Sequence, residues 1–174
     1  MPSQIFLLII IAFLILVSFG GFFGVIWFPT RKRDYEKIAN LASLQPDKVF
    51  FDLGSGTGDL LFYLSKKYGI KCVGIEVSPL FYLYSKIRSL FNKKVKICFG
   101  NFFKFNLSDA DIIYAFLHPK LLKRLEEKIN KEVRKEVSVI ISCWPIENSE
   151  PLRIEESGKE SYYVYSFKPM IKDG

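Results

Sequence analysis

The sequence predicts an α/β protein with a Rossmann-like, doubly wound and mostly parallel sheet, a C-terminal antiparallel hairpin, and one preceding transmembrane helix. Three observations support this prediction. Strand-type and helix-type segments alternate after residue 30. Strand-type runs such as Val139-Ile140-Ile141 are apolar without alternation, which is typical of strands buried on both faces of a parallel sheet. Finally, no charged residue occurs between Ile5 and Phe28.

The uncharged N-terminal segment predicts a membrane anchor. About 24 largely apolar residues at helical rise cover a hydrocarbon core of roughly 30 Å. A cleavable signal peptide is disfavoured because residues 1–4 carry no basic side chain and the apolar stretch is too long. A buried helix is disfavoured because the remaining chain is too small to surround it. We therefore expect an anchor at residues 1–30 and one soluble domain at residues 31–174.

The residues beside the anchor predict its orientation and leave its oligomeric state open. The cluster Arg31-Lys32-Arg33 follows the aromatic pair Trp27 and Phe28. Basic residues next to a membrane helix favour the cytoplasmic side, so we expect a single-pass protein whose domain faces the cytoplasm. Gly20 and Gly24 have the G-x-x-x-G spacing that permits close helix pairing, but glycine is common in membrane helices.

The elements of the domain follow from apolar spacing and from turn residues. Apolar residues at helical spacing predict a first helix, which Gln45-Pro46-Asp47 ends, and Gly69 ends the second helix. The tail is strongly strand-like at residues 161–167, which favours a terminal hairpin at the sheet edge. The predicted helices are 31–44, 60–68, 79–91 and 120–134, and the predicted strands are 49–51, 70–75, 95–99, 111–116, 137–143 and a tail between 153 and 168.

Charge and cysteine content restrict the partners. The formal net charge of +7 suits an anionic membrane surface. Its lysines are scattered and no arginine-rich block occurs, so we expect no nucleic-acid partner. Cys72, Cys98 and Cys143 each lie in an apolar, strand-like run without a C-x-x-C pair or a histidine cluster. We expect them to be core residues, and we predict no metal site.

A glycine-rich turn between the first strand and the second helix predicts a nucleotide-type ligand. The segment runs Asp52-Leu53-Gly54-Ser55-Gly56-Thr57-Gly58. Glycines let the chain turn sharply and approach a ligand closely, and the following helix directs its positive end at that ligand. The dinucleotide fingerprint G-x-G-x-x-G would place its third glycine at position 59, where this chain has Asp59.

The G-x-G-x-G spacing after Asp52 resembles motif I of the class I S-adenosylmethionine-dependent methyltransferases. That resemblance implies S-adenosylmethionine as cofactor, with binding residues Asp52, Gly54, Ser55, Gly56 and Gly58. Glu76 ends the next strand about 20 residues after the loop, where a carboxylate accepts hydrogen bonds from ribose hydroxyls.

The residues that follow the third strand are candidates to contact the adenine of the cofactor. In the methyltransferases that this chain resembles, an acid that receives the adenine amino group usually stands there, but this chain has Gly100-Asn101-Phe102. The amide oxygen of Asn101 can still accept, and Phe102 is a candidate to cover the ring. Burial tendency favours core packing for Phe102, Phe103 and Phe105, and we also assign Phe81, Tyr82 and Tyr84 to packing.

The whole layout resembles one methyltransferase family, which includes the membrane-anchored lysine methyltransferases of the mitochondrial ATP synthase c subunit and of the adenine nucleotide translocase. The shared features are the apolar N-terminal segment, Pro29-Thr30, a short helix, the glycine loop and Gly74-Ile75-Glu76. The family loop typically reads D-L-G-S-G-D-G-R. Here Thr57 replaces the inner acid and Asp59 replaces the basic residue.

Two positions after later strands are candidates for the substrate side. His118, the single histidine, follows the fourth strand, where class I methyltransferases usually place residues next to the transferring methyl group. It is a candidate catalytic proton acceptor or substrate-positioning group, a role that its position alone supports, and the favoured alternative is a helix N-terminal or surface residue. Trp144 and Pro145 follow the fifth strand and are candidates for an aromatic wall, or for ordinary packing.

The resemblance implies a membrane-anchored enzyme that methylates an acceptor at the bilayer, with lysine on a membrane protein preferred. A lipid head group or a quinone would use the same placement. Two further interpretations stay open, namely a non-catalytic S-adenosylmethionine-binding module and, less favoured by the spacing, a nicotinamide enzyme.

Overall fold

A mixed sheet of seven strands forms the centre of the computed structural model, which describes residues 4–8, 10–11, 29–158 and 160–169. The spatial order is β3-β2-β1-β4-β5-β7-β6. Strands β1 to β5 are parallel, and β7 runs antiparallel to both β5 and β6. The strand bounds are β1 Val49–Leu53, β2 Lys71–Glu76, β3 Val95–Phe99, β4 Ile112–Ala115, β5 Val137–Ser142, β6 Arg153–Ser157 and β7 Glu160–Phe167.

Helices connect the parallel strands, and their ends have recognisable sequence causes. Helix α2 begins after Gly58 (φ 74°) and ends at Gly69 (φ 69°), both in the left-handed region that glycine adopts readily. Pro79 and Pro119 open α3 and α4 at the position where proline's missing N–H has no consequence. The bounds are α1 Tyr35–Leu41, α2 Asp59–Tyr68, α3 Pro79–Ser89 and α4 Pro119–Glu132, with 3-10 turns at Lys32–Asp34 and Phe102–Lys104.

Apolar clusters cover the two faces of the sheet. On one face, residues of α1 and α2 such as Ile38 and Leu61 pack against Phe50 of β1. On the other face, α4 presents Leu122, Leu125 and Ile129, spaced by three and four residues along one helical stripe. The sheet is therefore enclosed between α1 and α2 on one side and α4 on the other.

The predicted α/β fold is confirmed, and most element bounds differ by one or two residues. The predicted terminal hairpin is also confirmed, with the detail that β7 inserts between β5 and β6, so β6 is the edge strand. The first helix is shorter than the predicted range 31–44. It begins as a 3-10 turn and ends at Leu41, because Ser43 turns into the left-handed region (φ 46°).

The predicted membrane anchor falls largely outside the described residues. Residues 4–8, 10 and 11 are helical, and the apolar side chains from Ile5 to Leu8 are exposed. Across the described ranges, no helix has the length and apolar character needed to cross a membrane. Residues 12–28, which include Gly20 and Gly24, are not among those ranges, so both the anchor and helix pairing stay predictions.

Candidate active site

The glycine loop lies at the carboxyl end of β1 and is held by the end of β2. The backbone N–H groups of Gly54 and Ser55 donate to the carbonyl oxygen of Ile75, at 2.9 and 3.1 Å. Gly54 has φ 94° and Gly56 has φ 53°, conformations that side chains other than glycine rarely adopt. The predicted loop is thus a tight turn fixed against the neighbouring strand.

Glu76 joins this loop to the start of α3. One carboxylate oxygen accepts from the Gly56 N–H at 2.7 Å, and the other accepts from the Ser78 N–H at 2.7 Å. The residue is 4% exposed. Burial raises the pKa of Glu76, and the backbone donors oppose that shift. A carboxylate can accept about four hydrogen bonds, which is more than these backbone donors use, so the predicted role as ribose acceptor is chemically compatible with this geometry.

Three buried polar side chains near Glu76, those of Asp52, Ser55 and Ser78, fit a ligand site. Asp52 is buried, and its pKa is raised to about 8 by burial and then by the negative charge of Glu76. The Ser55 hydroxyl is buried and has no hydrogen-bond partner among the described residues, and the same is true of the Ser78 hydroxyl. Unsatisfied buried hydroxyls are uncommon, and these two flank the loop and the carboxylate predicted to contact the cofactor.

Gly74 on β2 permits Ser55 to take this position. A Cβ atom at Gly74 would lie 2.6 Å from the Ser55 Oγ and 2.6 Å from the Leu61 Cδ1. Real Cβ atoms essentially never make such short contacts. The strand therefore has to carry glycine at this point for the loop and α2 to approach it.

Thr57 and Asp59, the two residues that depart from the family's usual loop, both contact Arg88 of α3, and we call these three residues the loop clamp. The Thr57 hydroxyl donates to one oxygen of Asp59 at 2.7 Å, and the Arg88 guanidinium donates to the other at 2.6 Å. Arg88 also donates to the Thr57 carbonyl oxygen at 2.8 Å and lies 4.2 Å from the centre of the Phe62 ring. Thr57 and Asp59 thus hold the loop through a basic residue of α3.

A small cavity lies between the loop and residues 29–34, which we call the strap. Its volume is about 220 Å³, and its lining includes Pro29, Thr30, Lys32 and Tyr35 together with loop residues 54–57. Burial and the carboxylates of Asp59 and Asp52 raise the pKa of Tyr35 to about 12. The hydroxyl of Tyr35 therefore stays protonated at neutral pH.

Polar contacts fix the strap to distant elements. The Thr30 hydroxyl lies 2.9 Å from the hydroxyl of Tyr114, a buried residue of β4. The nearly inaccessible Asp34 accepts from the Ser157 hydroxyl of β6 at 2.5 Å. Arg31 and Glu160 of β7 form an ion pair at 3.2 Å. The cavity is therefore covered by a segment that the last two strands help to position.

The residues predicted for the adenine side have local structural roles. The Asn101 side-chain oxygen accepts from the Phe103 N–H at 3.0 Å and caps the short 3-10 turn. Phe102 is buried in the core and contacts the Phe103 ring at a centroid distance of 4.3 Å. Core packing of Phe102 is therefore confirmed, whereas contact of either residue with adenine stays a prediction.

The substrate-side candidates lie close together. His118 is exposed, and its Nδ1 accepts from the Lys120 N–H at 3.3 Å, so it caps α4. The Trp144 ring lies 6.3 Å from the His118 ring and 6.1 Å from the Phe116 ring, measured between centroids. Trp144 is 41% exposed. These three rings at the ends of β4 and β5 form an accessible aromatic surface.

The strand order, the glycine loop after β1 and the acid after β2 define a class I S-adenosylmethionine-dependent methyltransferase. The loop glycines, the unsatisfied Ser55 hydroxyl and the Glu76 carboxylate fit such a cofactor. The ANTKMT methyltransferase domain model matches residues 52–153, and the chain belongs to this family. It is accordingly an S-adenosylmethionine-dependent methyltransferase of the protein-lysine methyltransferase type.

Comparisons with individual proteins agree with this assignment. A protein-lysine N-methyltransferase of Saccharolobus islandicus is 24% identical over 150 residues, which cover 80% of this chain and 90% of the relative. The human lysine N-methyltransferase of the ATP synthase c subunit is 26% identical over 140 residues, but the match spans 79% of this chain and only 59% of the human protein.

A solved structure shares the fold. The RNA methyltransferase of Salinibacter ruber, in complex with S-adenosyl-L-homocysteine, superimposes with a TM-score of 0.78 at 21% identity. The match covers 84% of this chain and 98% of that protein.

Sequence reasoning did not assign Tyr35, Lys32 or Arg88 to the site. Tyr35 and Lys32 reach the cavity only because the strap folds back over the loop, and no local pattern signals that contact. For Arg88, the acid at position 59 was the available signal, because a carboxylate that replaces a basic residue needs a new cationic partner.

Proposed function

We propose that this enzyme methylates the side-chain amine of a lysine on a protein at the membrane, and that it is anchored beside that substrate by its N-terminal segment. The observation that carries the proposal is the strap. Pro29 and Thr30 line the cavity at the glycine loop and directly follow the apolar segment from Ile5 to Phe28. The cavity thus lies within a few residues of the predicted bilayer.

The glycine loop, which lines the cavity, and Glu76, which holds that loop, would share the binding of the cofactor. The glycine-loop backbone and the Ser55 hydroxyl would hold its methionine part, and Glu76 would accept from its ribose hydroxyls. S-adenosylmethionine supplies, when bound, a methyl group already activated for transfer. The protein's own contribution is to align the acceptor amine with that methyl group and to exclude water.

The aromatic surface at the ends of β4 and β5 suits a lysine side chain. The Trp144 and Phe116 rings offer an apolar contact for the methylene stem. An amine that enters an apolar site has a lowered pKa, which favours the neutral form that methylation needs. In neutral His118, the Nδ1 atom that caps α4 is the acceptor, so the hydrogen resides on Nε2. This arrangement favours His118 as a donor that positions the substrate rather than as a proton acceptor.

The lysine acceptor is also supported by the relatives. The Saccharolobus and human proteins are both lysine N-methyltransferases, and the human enzyme acts on the ATP synthase c subunit. The basic residues after the apolar segment favour a cytoplasmic domain. A reporter fused after residue 174 tests this orientation, and reporter activity on the outer side would contradict it.

The activity test uses the full chain in nanodiscs, incubated with membranes and S-adenosylmethionine that carries a radiolabelled methyl group. We expect label in protein, released as methyl-lysine on hydrolysis. Gly56→Arg should abolish both labelling and calorimetric binding of the cofactor, and Glu76→Ala should weaken both. Gly158→Ala, in the β6–β7 turn, is the matched glycine control and should retain labelling.

Three outcomes would change the proposal. If label is recovered only in the lipid or quinone fraction, the acceptor is a lipid or a quinone and not lysine. If the enzyme binds the cofactor but transfers no label to membrane proteins or to lipids, a membrane substrate would be refuted. If soluble proteins are labelled as strongly as membrane proteins, the position of the strap does not select membrane substrates.

A further inference from the structure

Helix α3 and the two residues that directly follow it, Leu90 and Phe91, present a large apolar stripe to solvent. Leu83, Ile87 and Leu90 follow one another at helical spacing, and Tyr84 and Phe91 lie beside them. All five side chains are more than half exposed, and Phe91 is 89% exposed. The prediction that Tyr84 packs in the core is therefore wrong. Contiguous exposed apolar surface of this kind marks an interaction site.

The opposite side of α3 explains why the stripe faces outward. Ser85 is the fully buried residue of this helix, and it lies against the glycine loop, where its Cβ would be 3.5 Å from a Cβ at Gly58. Tyr82 is half-buried and contacts Phe99 at a centroid distance of 5.1 Å. Small and half-buried residues attach α3 to the sheet, so the large aliphatic residues are not used by the fold.

Basic residues line a groove beside one end of this stripe. Between Leu60 and Ser108 the sequence has nine basic residues and one acidic residue, the buried Glu76. Lys66, Arg88 and Lys94 line an open groove of about 620 Å³ between α2 and α3, together with the Phe62 and Phe91 rings. Of these cations, Lys66 and Lys94 contact no carboxylate among residues 29–158 and 160–169.

We propose that the exposed face of α3 docks on the surface of an anionic phospholipid bilayer. The aliphatic stripe would enter the boundary between headgroups and acyl chains, and the lysines around the groove would contact lipid phosphates. The two features occur together in helices that lie in a membrane interface. The docking is a second contact with the bilayer, separate from the N-terminal segment, and it does not depend on the identity of the methyl acceptor.

Charge and composition favour lipid over other occupants. A second copy of this chain would bring the same uncompensated positive charge against itself, which opposes pairing. A nucleic acid would be recognised by phosphate contacts and by aromatic stacking, and it would gain nothing from Leu83, Ile87 and Leu90. An anionic bilayer uses both the aliphatic residues and the lysines.

Hydrogen exchange of the full chain in nanodiscs tests this docking. One set of nanodiscs contains phosphatidylcholine alone, and the other contains phosphatidylcholine with phosphatidylglycerol. We expect amides of residues 83–94 to exchange about tenfold more slowly in the anionic nanodiscs, and added salt should reverse the effect. Amides of α4, on the other face of the sheet, should exchange equally in both.

Two double variants separate the contributions. Leu90→Ser with Phe91→Ser should abolish the slowed exchange. Lys66→Ala with Lys94→Ala should remove most of it, because each lysine near an anionic surface contributes about fivefold to membrane affinity. The matched controls are Leu152→Ser, an exposed leucine before β6, and Lys123→Ala, an exposed lysine of α4. Unchanged cofactor binding shows that each variant is folded.

Three results would overturn the proposal. Exchange at α3 that is the same in both kinds of nanodisc would exclude recognition of anionic lipid. Slow exchange that persists in detergent and rises with protein concentration would indicate self-association instead. Protection that appears only after addition of an RNA oligonucleotide would identify a nucleic-acid surface. Each result is independent of whether methyl transfer to lysine is observed.

Discussion

Gly74→Ala should damage both the fold and the cofactor site, because one methyl group would enter space that three other atoms already occupy. The new Cβ would lie 2.6 Å from Leu61 Cδ1, 2.6 Å from Ser55 Oγ and 2.9 Å from Ile97 Cδ1. Leu61 and Ile97 are buried in the core, so neither side chain can rotate away without disturbing the residues packed around it. We expect the strain to be shared between these side chains and the Ser55 loop.

The size of the effect follows from these contacts. Overpacking a core by one methyl group destabilises a protein by about 1–3 kcal/mol. With three contacts below 3.0 Å we expect the upper part of that range, which corresponds to a fall in melting temperature of about 4–12 °C for a chain of this size. Displacement of Ser55 should also weaken cofactor binding by about tenfold, the equivalent of roughly 1.4 kcal/mol.

Thermal unfolding and calorimetric titration with S-adenosylmethionine measure the two effects in one preparation. Gly158→Ala is the control, because its Cβ would lie 3.6 Å from the nearest side-chain atom, on Arg33, and only its φ of 66° is unfavourable. We expect this control to lose about 1–2 kcal/mol of stability and to bind the cofactor normally.

A double variant tests the assigned cause. Leu61→Ala alone should destabilise by about 2–5 kcal/mol through the cavity that it creates. Combined with Gly74→Ala, the loss should be smaller than the sum by about 1 kcal/mol or more, because the truncated side chain makes room for the new methyl group. Additive losses together with normal cofactor binding would refute the steric reasoning.

Three further predictions concern charge, the loop clamp and a buried hydrogen bond. Folded Asp52 has a pKa of about 8 against 3.8 in its unperturbed state, so the folded protein retains a proton that the unfolded chain releases between these values. The free energy of unfolding should therefore fall as the pH rises from about 4 to 8, and urea titrations across this range should show a flatter profile for Asp52→Asn. Arg88→Ala should lower stability by no more than about 1 kcal/mol, because the ion pair between Arg88 and Asp59 is partly exposed. Calorimetry should nevertheless show severalfold weaker cofactor binding, and unchanged binding would contradict the role of the loop clamp. Tyr165→Phe leaves the Ile146 N–H, now bonded at 2.8 Å, without its acceptor and should cost about 1–3 kcal/mol in urea unfolding, whereas equal losses in Tyr163→Phe would argue against that cause.

The sheet could be predicted from the sequence because its strands are buried on both faces. Such strands are continuous apolar runs, and glycine or proline marks the turns between them, so local patterns suffice. The positions of Asp52, the glycine loop and Glu76 follow for the same reason, since the carboxyl ends of adjacent parallel strands meet at one edge.

The remaining features depend on contacts between distant parts of the chain. The path of the strap over the loop is set by partners such as Tyr114 and Ser157, which lie 84 and 123 residues away from Thr30 and Asp34. The outward face of α3 has a similar origin. Its apolar stripe has the spacing of a core-facing helix, and only the packing of Ser85 at the loop shows which side is buried.

The long-range contacts of the strap lead us to expect that the protein becomes active only late in its synthesis. Asp34 is made early, but its partner Ser157 is added 123 residues later, which takes about 6–25 s at usual rates of translation. A nascent chain that already has its glycine loop and Glu76 would still have an open site, because β6 and β7 have not yet formed. We expect chains truncated before Arg153 to bind S-adenosylmethionine poorly in calorimetry. Methyl transfer would then begin only after β6 and β7 have been added and have folded.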